Sequence, residues 1–432
     1  MKKILLLGGS FQQLVAIKTA KQLGYYTVLC DYLPDNPGQY IADKYYPTST
    51  TDVEAVYQIA KQEQVDGILA YASDPAALPA AIVAERLSLP TNPSASVEIL
   101  GVKHKFRQFL QQNNFACPQH YSFNAQQDIT TVRQHIQNFS FPIIVKPTDS
   151  SGSKGVTKLE TLTDLQQAID YANTYSRNKI LIIEEFIQRG FPEVIGGDIF
   201  VWDGKITLFG EMSCLRGEKG RGLVPIGEKK PSGLNTKQTN NVHQELQRLI
   251  SALDIRFGEM NIEIILDQDD NIHFLELGPR AGGNMIPIQL SDAFGVDLVQ
   301  ANVQAAMGQE PQLNPQTPTN CYMTYVLHSY QNGSFSAINY SDNIQSHIYR
   351  QVLYKQPGDP IESFDGAGKA VGIVFLRFDN QEQMLQAAAH IEDLIQVQLT
   401  KISGGGYNYL YIRDFYTLSS LSPLLVLHSK AA

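Results

Sequence analysis

Two apolar runs around a polar turn constrain this chain more than any other feature. Asn261-Ile262-Glu263-Ile264-Ile265-Leu266 is rich in β-branched residues, Asp267-Gln268-Asp269-Asp270-Asn271 is a turn sequence, and Ile272-His273-Phe274-Leu275-Glu276-Leu277 resumes the apolar run. The pattern predicts a β-hairpin. A loop of even length centred on Asp269 and Asp270 sets Glu263 directly opposite Glu276 on one face. Like charges opposed across a ladder repel, and a cation between them removes the repulsion. Two carboxylates completed by water and substrate phosphates make a magnesium site of the kind that ATP-using enzymes employ. Two solvated surface glutamates are the alternative that the pair by itself leaves open.

At 432 residues and 43% hydrophobic, the chain can bury more than one core, so two or three domains are expected. Its 34 basic and 43 acidic residues leave a formal net charge of -9, which opposes binding to nucleic-acid backbones. The apolar start Ile4-Leu5-Leu6-Leu7 is cut short by Gly8-Gly9-Ser10, unlike a secretory leader, and no segment reaches bilayer-spanning length. Cys30, Cys117, Cys214 and Cys321 have neither disulfide-framework nor zinc-site spacing. Together these features predict a reduced, cytoplasmic setting with no nucleic-acid or membrane partner.

Lys3 to Leu7 reads as a buried strand, Leu14 to Leu23 as an amphipathic helix and Thr27 to Asp31 as a second strand, a βαβ opening. Thr51-Asp52-Val53-Glu54 reads as a capping box for a helix to about Gln62, and Val65 to Tyr71 as the next strand. The first hundred residues are therefore a small parallel α/β unit. A third glycine is missing after Gly8 and Gly9, so a dinucleotide site has only Asp31 to support it. Small polar residues and prolines from Leu89 to Ser96 mark a boundary. Beyond it, Lys103 to Gln112 predicts a helix and Phe141 to Pro147 a strand. Thr163-Asp164-Leu165-Gln166 predicts a second capping box with a helix to about Tyr175, followed by a buried strand from Ile180 to Glu184. A βαβ unit is expected over Ala370 to Leu399, and Gly404-Gly405-Gly406 reads as a loop.

The loop Ser150-Ser151-Gly152-Ser153-Lys154-Gly155 can turn backbone N–H groups toward an anion at little steric cost, although it lacks the ending of a Walker loop. Lys146, at the end of an apolar strand, calls for an anionic partner. Glu184-Glu185-Phe186-Ile187 offers a strand exit wide enough for a flat heterocycle. Gly278-Pro279-Arg280-Ala281-Gly282-Gly283-Asn284 is a glycine-rich bend that sets Arg280 just past the carboxylate pair, where a guanidinium can hold a transferring phosphoryl group. Ser73-Asp74 lies at the carboxyl edge of the parallel sheet, where ligands bind, or serves only as a helix cap. Cys214 to Gly222 reads as a charged loop in which Arg216 or Arg221 meets an acidic substrate, or as a solvated loop. His104, His243 and His273 are isolated and read as ordinary histidines.

Taken in order, these segments resemble the ATP-grasp superfamily over most of residues 1 to about 310. The matching pieces are Lys103 within Val102-Lys103-His104-Lys105-Phe106-Arg107, Lys146 before Pro147, and the loop Ser150 to Gly155. Glu184 to Ile187, the Asp203-Gly204-Lys205 turn, and the Glu263/Glu276 pair ending in Pro279-Arg280 continue the series. The resemblance implies an α/β chain with a parallel pre-ATP-grasp domain (1–100), a nucleotide- and magnesium-binding ATP-grasp domain (101–310) and a C-terminal α+β subdomain (311–432). It implies that Lys103 and Lys146 contact the ATP phosphates under the serine-glycine loop. Glu184, with the backbone of Glu185, Phe186 and Ile187, would hold adenine, and Glu193 would hold ribose. Glu263 and Glu276 would bind Mg2+ or Mn2+. The family places Asn two residues after the second metal glutamate. Here Gly278 offers no side chain, so Asn284 or water has to substitute, or one ion is held more weakly.

The resemblance further implies an ATP-dependent carboxylate-amine or carboxylate-thiol ligase that phosphorylates a carboxylate and releases ADP and phosphate. A small-molecule carboxylate would meet Ser73, Asp74, Arg216, Arg280, Gly282 and Asn284, an amine would be the acceptor, and a homodimer is compatible with the pattern. A bicarbonate-phosphorylating carboxylase and a nucleotide-binding regulator without turnover are the alternatives.

Overall fold

The computed structural model describes residues 1–150, 154–217 and 224–400. Near the N-terminus, β1 (Lys3–Leu7), β2 (Tyr26–Cys30), β3 (Lys44–Tyr46) and β4 (Gly67–Leu69) form an all-parallel sheet in the order β3-β2-β1-β4. The crossover helices Leu14–Gln22 and Val53–Glu63 cover it, as a parallel sheet requires. The second helix is capped by Asp52, whose side chain accepts from Ala55 N–H, so the cap lies one residue after the expected Thr51. Likewise the helix Leu165–Tyr175 follows Asp164, which makes no side-chain cap bond, in place of the expected capping box. Asp31, just past β2, accepts from Gly9 N–H at 2.8 Å, which ties the Gly8-Gly9-Ser10 turn to the sheet.

A small antiparallel sheet follows, built from β5 (His120–Asn124), β6 (Ile143–Pro147), β7 (Thr157–Leu159) and β8 (Ile180–Glu185) in the order β5-β8-β6-β7. The large antiparallel sheet begins with β9 (Ile195–Trp202), β10 (Lys205–Arg216), β11 (Pro225–Lys230), β12 (Phe257–Leu266) and β13 (Ile272–Gly278). The remaining strands are β14 (Cys321–Leu327), β15 (Gly333–Tyr340), β16 (Ile348–Leu353), β17 (Pro360–Ile361), β18 (Gly372–Phe378) and β19 (Ile395–Thr400). β14, β18 and β16 extend the large sheet, in the order β13-β12-β9-β10-β11-β14-β18-β16, across the division expected near residue 310. β19 pairs with β15 in a separate sheet, so Ala370 to Leu399 is not a βαβ unit. The helix between β18 and β19 carries the chain from one sheet to another. Gly404 to Gly406 lies outside the described residues.

The helix Thr236–Ala252 covers one face of the large sheet. Val242, Leu246, Leu249 and Ile250 fall on one side of it and pack on Ile195, Ile199, Met260 and Ile262. The opposite face meets the helices Ile286–Phe294 and Leu298–Ala306 through Phe200, Leu208 and Met212. Leu298–Ala306 also packs on the N-terminal sheet, joining it to the large one. Gly67 allows that approach, since a methyl group there would lie 2.4 Å from the Ala306 carbonyl. Among the described residues, no helix is long and apolar enough to cross a membrane.

Glu263 does pair with Glu276, but by a different route from the one the turn suggested. Leu266 pairs with Ile272 and Ile264 with Phe274, so the loop is odd in length, and a bulge at Leu275 restores the facing register. A bulge sets successive side chains on the same side of a strand. Leu275 and Glu276 therefore line one cleft. β13 is also an edge strand, and its Phe274 and Leu275 carbonyls are taken by Arg107 Nη1 and Nη2 at 3.1 and 3.2 Å. Arg107 Nε reaches Glu184 Oε1 on β8 at 2.6 Å, so one buried guanidinium joins the two antiparallel sheets. Arg107→Ala leaves a buried carboxylate and two carbonyls without their donor. It is expected to lower stability by roughly 3–5 kcal/mol, read as a fall in the urea midpoint.

Candidate active site

Between the small and large sheets lies a cleft of about 270 Å³. Its inner end has apolar walls from both sheets: Ile144, Val156 and Ile187 on one side, Ile265 and Leu275 on the other. Glu184, Glu185 and Phe186 lie along the same end, and Lys158 Nζ sits 4.6 Å over the Phe186 ring. The Glu184 carboxylate is already engaged, because it forms ion pairs with Arg107 and Lys146. What faces a flat ligand there is the strand exit and its apolar flanks, with the carboxylate held behind them.

Lys146 ends β6, buried, and Lys103 opens the helix Lys103–Gln112. Burial would raise Glu184, but Arg107 and then Lys146 outweigh it and hold its carboxyl down at about 2. Burial lowers Lys146 to about 8, against the attraction of Glu184. Two cations thus share one carboxylate, and the surplus positive charge favours an anion in the cleft. Lys103 Nζ donates to the Ser150 carbonyl at 2.8 Å and lies 3.5 Å from Glu276 Oε2. Ser150 and Lys154 line the same end, whereas Gly155, at φ +72°, packs against Pro147 and Ala172. Ser151, Gly152 and Ser153 lie outside the described residues.

Glu263 and Glu276 face each other on the large-sheet wall. Burial, and next the charge of Glu276, raises the Glu263 carboxyl. An opposed carboxylate pair in which Glu263 resists ionisation in this way fits a divalent cation, which removes both the burial and the repulsion penalties. Gly278, where the family pattern has Asn, is filled by a neighbour: a methyl group there would lie 3.2 Å from the Arg280 guanidinium carbon. The missing side chain is what lets Arg280 fold back beside the pair.

Arg280 Nε donates to Asp74 Oδ1 at 2.6 Å, so the structure brings these two candidates together. Asp74 opens the helix Asp74–Arg86, while Ser73 sits at its cap position without a side-chain cap bond. Gly282 N–H donates to Asp198 Oδ2 at 2.7 Å, and Asn261 Nδ2 to Asp198 Oδ1 at 2.8 Å. Burial, and next the Asp198 charge, pushes the neighbouring Glu259 carboxyl far up, so the acid beside Asp198 resists ionisation. Asn284 N–H donates to Gln12 Oε1 at 2.8 Å, which ties the bend to the N-terminal loops; Asn284 is not among the residues lining the cleft.

Arg216 ends β10 and lines the cleft, so the expected loop begins later than Cys214. Residues 218–223, with Arg221, lie outside the described residues. Glu193 belongs to a neighbouring recess, where Lys229 Nζ is 2.5 Å from its Oε1. Arg189 and Val194 line the cleft in its place. His273 donates or accepts at Asp267 (2.9 Å) and His243 stacks on Phe209, both structural roles. Sequence reading gave no role to Arg107 or Asp198. A signal existed for Arg107, which lies between Phe106 and Leu110 in an otherwise polar helix whose inward face they define.

Residues 103–313 match the family model described as carbamoyl-phosphate synthase L chain, ATP binding domain. The carbamoyl phosphate synthase large chain of Thermotoga maritima is 22% identical over 299 residues, which cover 67% of this chain and 26% of that protein. The chain thus spans about a quarter of the length of that relative. The L-amino acid ligase of Bacillus licheniformis superposes with a TM-score of 0.75 at 19% identity, covering 93% of this chain and 99% of that one. The biotin carboxylase domain of Hydrogenobacter thermophilus 2-oxoglutarate carboxylase, solved as a dimer with MgADP and bicarbonate, superposes at 0.72 and 16% identity, covering 93% and 92%. With a parallel N-terminal sheet followed by antiparallel sheets, the chain has the ATP-grasp fold, and its residues 103–313 belong to the ATP-grasp superfamily.

Proposed function

We propose that the protein is an ATP-dependent carboxylate-amine ligase, a C–N bond-forming enzyme that works through an acyl phosphate and releases ADP and phosphate. The observation that carries this reading is the opposition of charge across one cleft. Buried Lys146 stands on one side and the Glu263/Glu276 pair on the other, with Lys103 between them and Arg280 anchored just beyond. ATP would lie with its base between the apolar walls at the Glu184–Ile187 exit and its phosphates against Lys103, Lys146 and the 150–155 loop. Glu263 and Glu276 would hold Mg2+ or Mn2+, which supplies charge neutralisation at the phosphates. Arg280, fixed by Asp74, would orient the carboxylate substrate and offset the charge gathering on the phosphoryl group. This chemistry is positioning plus electrostatics, so no nucleophilic side chain is needed.

Small-molecule carboxylates and amines are therefore the expected partners. A screen of carboxylic and amino acids with ATP and magnesium, reading phosphate release and acyl hydroxamate in the presence of hydroxylamine, tests the reading. Turnover stimulated by bicarbonate alone would favour the carboxylase alternative. ATP binding without phosphate release from any acid would favour a regulator.

Three outcomes are expected. Glu276→Gln lowers turnover at least about a hundredfold, on the scale of losing one transition-state stabilising group, and EDTA abolishes activity that Mg2+ or Mn2+ restores. Lys146 is charged below its value of about 8, and phosphate binding favours that form, so affinity for ATP is steady below pH 8 and falls above it. The slope approaches about tenfold per pH unit for one proton, and it flattens in Lys146→Gln. Gly282→Ala sets a methyl group 2.6 Å from Asp198 Oδ1 and 2.9 Å from Asn261 Nδ2. The resulting shift of the bend displaces Arg280 and cuts kcat roughly tenfold or more.

A further inference from the structure

A second chamber, of about 440 Å³, opens off the phosphate end of the cleft. Lys103, Ser150, Lys154 and Glu276 line both spaces, so the two meet where the lysines approach the carboxylate pair. One wall comes from the N-terminal half of the chain, with Ala77 and Leu78 on the helix Asp74–Arg86 and Val97 and Leu100 on the helix Ser94–Gly101. The other is made by Thr174, Tyr175 and Arg177, where the helix Leu165–Tyr175 ends. Gly278 and Pro279, which lead into Arg280, complete the lining.

The acids around this chamber already have partners. Asp74 accepts from Arg280, and Glu276 belongs to the pair that fits a cation. Asp149 Oδ2 accepts from the N–H groups of Arg177 and Asn178 at 3.0 and 2.8 Å. The cations are less committed. Lys103 donates to a neutral carbonyl, that of Ser150, and Lys154 pairs with no carboxylate among the described residues. An entering anion therefore meets positive charge at the end that joins the cleft, and an entering ammonium group meets repulsion there. Beyond that end, the four apolar side chains reward a carbon body, which bicarbonate does not have.

We infer that this chamber holds the acid that becomes phosphorylated, and that the acid is an organic carboxylate with an apolar body of several carbons. The inference rests on the ligase reading above and names the class of its acid. The carboxylate lies at the Lys103 and Lys154 end, beside the metal pair, and the body lies along Ala77, Leu78, Val97 and Leu100. One carboxylate oxygen forms the bond to the γ-phosphorus as the bond from that phosphorus to the β–γ bridging oxygen breaks. ADP leaves with the bonding pair, and no proton has to move.

Gly101 supplies the test. It ends the helix Ser94–Gly101 and lines the chamber, and a methyl group on it meets no heavy atom within 4 Å. A side chain there enters open space, and Ala, Leu and Phe are all better helix formers than Gly. The full-length protein is assayed with ATP, magnesium and hydroxylamine, so each acyl phosphate is read as hydroxamate with no amine substrate to be found. The acids are acetate, hexanoate and 3-phenylpropionate, with glycine, leucine and phenylalanine as a second series. Wild type is expected to show the higher kcat/KM for the larger acids of a series. Gly101→Ala, Gly101→Leu and Gly101→Phe are expected to erode that preference in increasing steps, reaching roughly tenfold or more with Phe. Damage to the fold or to ATP binding would lower all acids together. Should Gly101→Phe not fold, Thr174→Trp, at an exposed position on the facing wall, carries the same comparison. A wild type that prefers acetate and glycine overturns the class of acid. A size preference unchanged in Gly101→Phe and Thr174→Trp overturns the chamber assignment while acid activation stands, and so does an effect confined to the KM for hydroxylamine. No hydroxamate from any of the acids overturns the ligase reading together with this inference.

Discussion

The two antiparallel sheets are held at a working distance by the guanidinium of Arg107. Its three nitrogens bind the Glu184 carboxylate on β8 and the Phe274 and Leu275 carbonyls on β13. A planar group with donors in a fixed fork suits this task, because it sets angle as well as spacing. The carbonyls it satisfies belong to the bulge that turns Leu275 and Glu276 onto one face. The apolar wall for a base and the carboxylate for a cation therefore depend on the same contact. Buried ion pairs commonly add little net stability. Here the pair's contribution is to geometry, since it fixes the width of the cleft that everything else lines.

Charge is sorted across that cleft. Lys146 stands on the small-sheet side and Glu263 and Glu276 on the large one, while Lys103 lies between them, bonded to the Ser150 carbonyl and 3.5 Å from Glu276. A polyphosphate carrying a divalent cation has the complementary arrangement and can satisfy both walls at once. The Arg280 bend closes the far end, with Asp74 of the N-terminal half on its guanidinium and Asp198 of β9 on the amide of Gly282. Gly278 belongs to this design. A residue that the family pattern would use toward a cation is reduced to a hydrogen, and Arg280 takes the space.

Where local periodicity decides structure, it was legible. The strand Lys3–Leu7 and the helix Lys103–Gln112 follow directly from apolar spacing, and the hairpin follows from its turn residues. Sheet membership was harder, because it depends on distant partners. The segment Ala370 to Leu399 has the strand-helix-strand pattern of a βαβ unit, yet β18 and β19 pair with different sheets. The facing of Glu263 and Glu276 was also readable, but its cause was not, since a bulge at Leu275 leaves no mark in composition. Glu193, which the resemblance offers for ribose, pairs with Lys229 on β11 in a neighbouring recess, a contact set by tertiary structure.

The sequence by itself determined the order of elements, the pair of opposed acids and the chemical types collected along the chain, because these are set by residues a few positions apart. Tertiary structure alone decided which charges are free to meet a ligand. Arg107 finds Glu184 across 77 positions and Phe274 across 167, and Arg280 finds Asp74 across 206. Coulomb interactions fall with distance in space and not along the chain. The lysine left with surplus charge and the arginine bent back over a glycine therefore emerge only when the sheets are stacked.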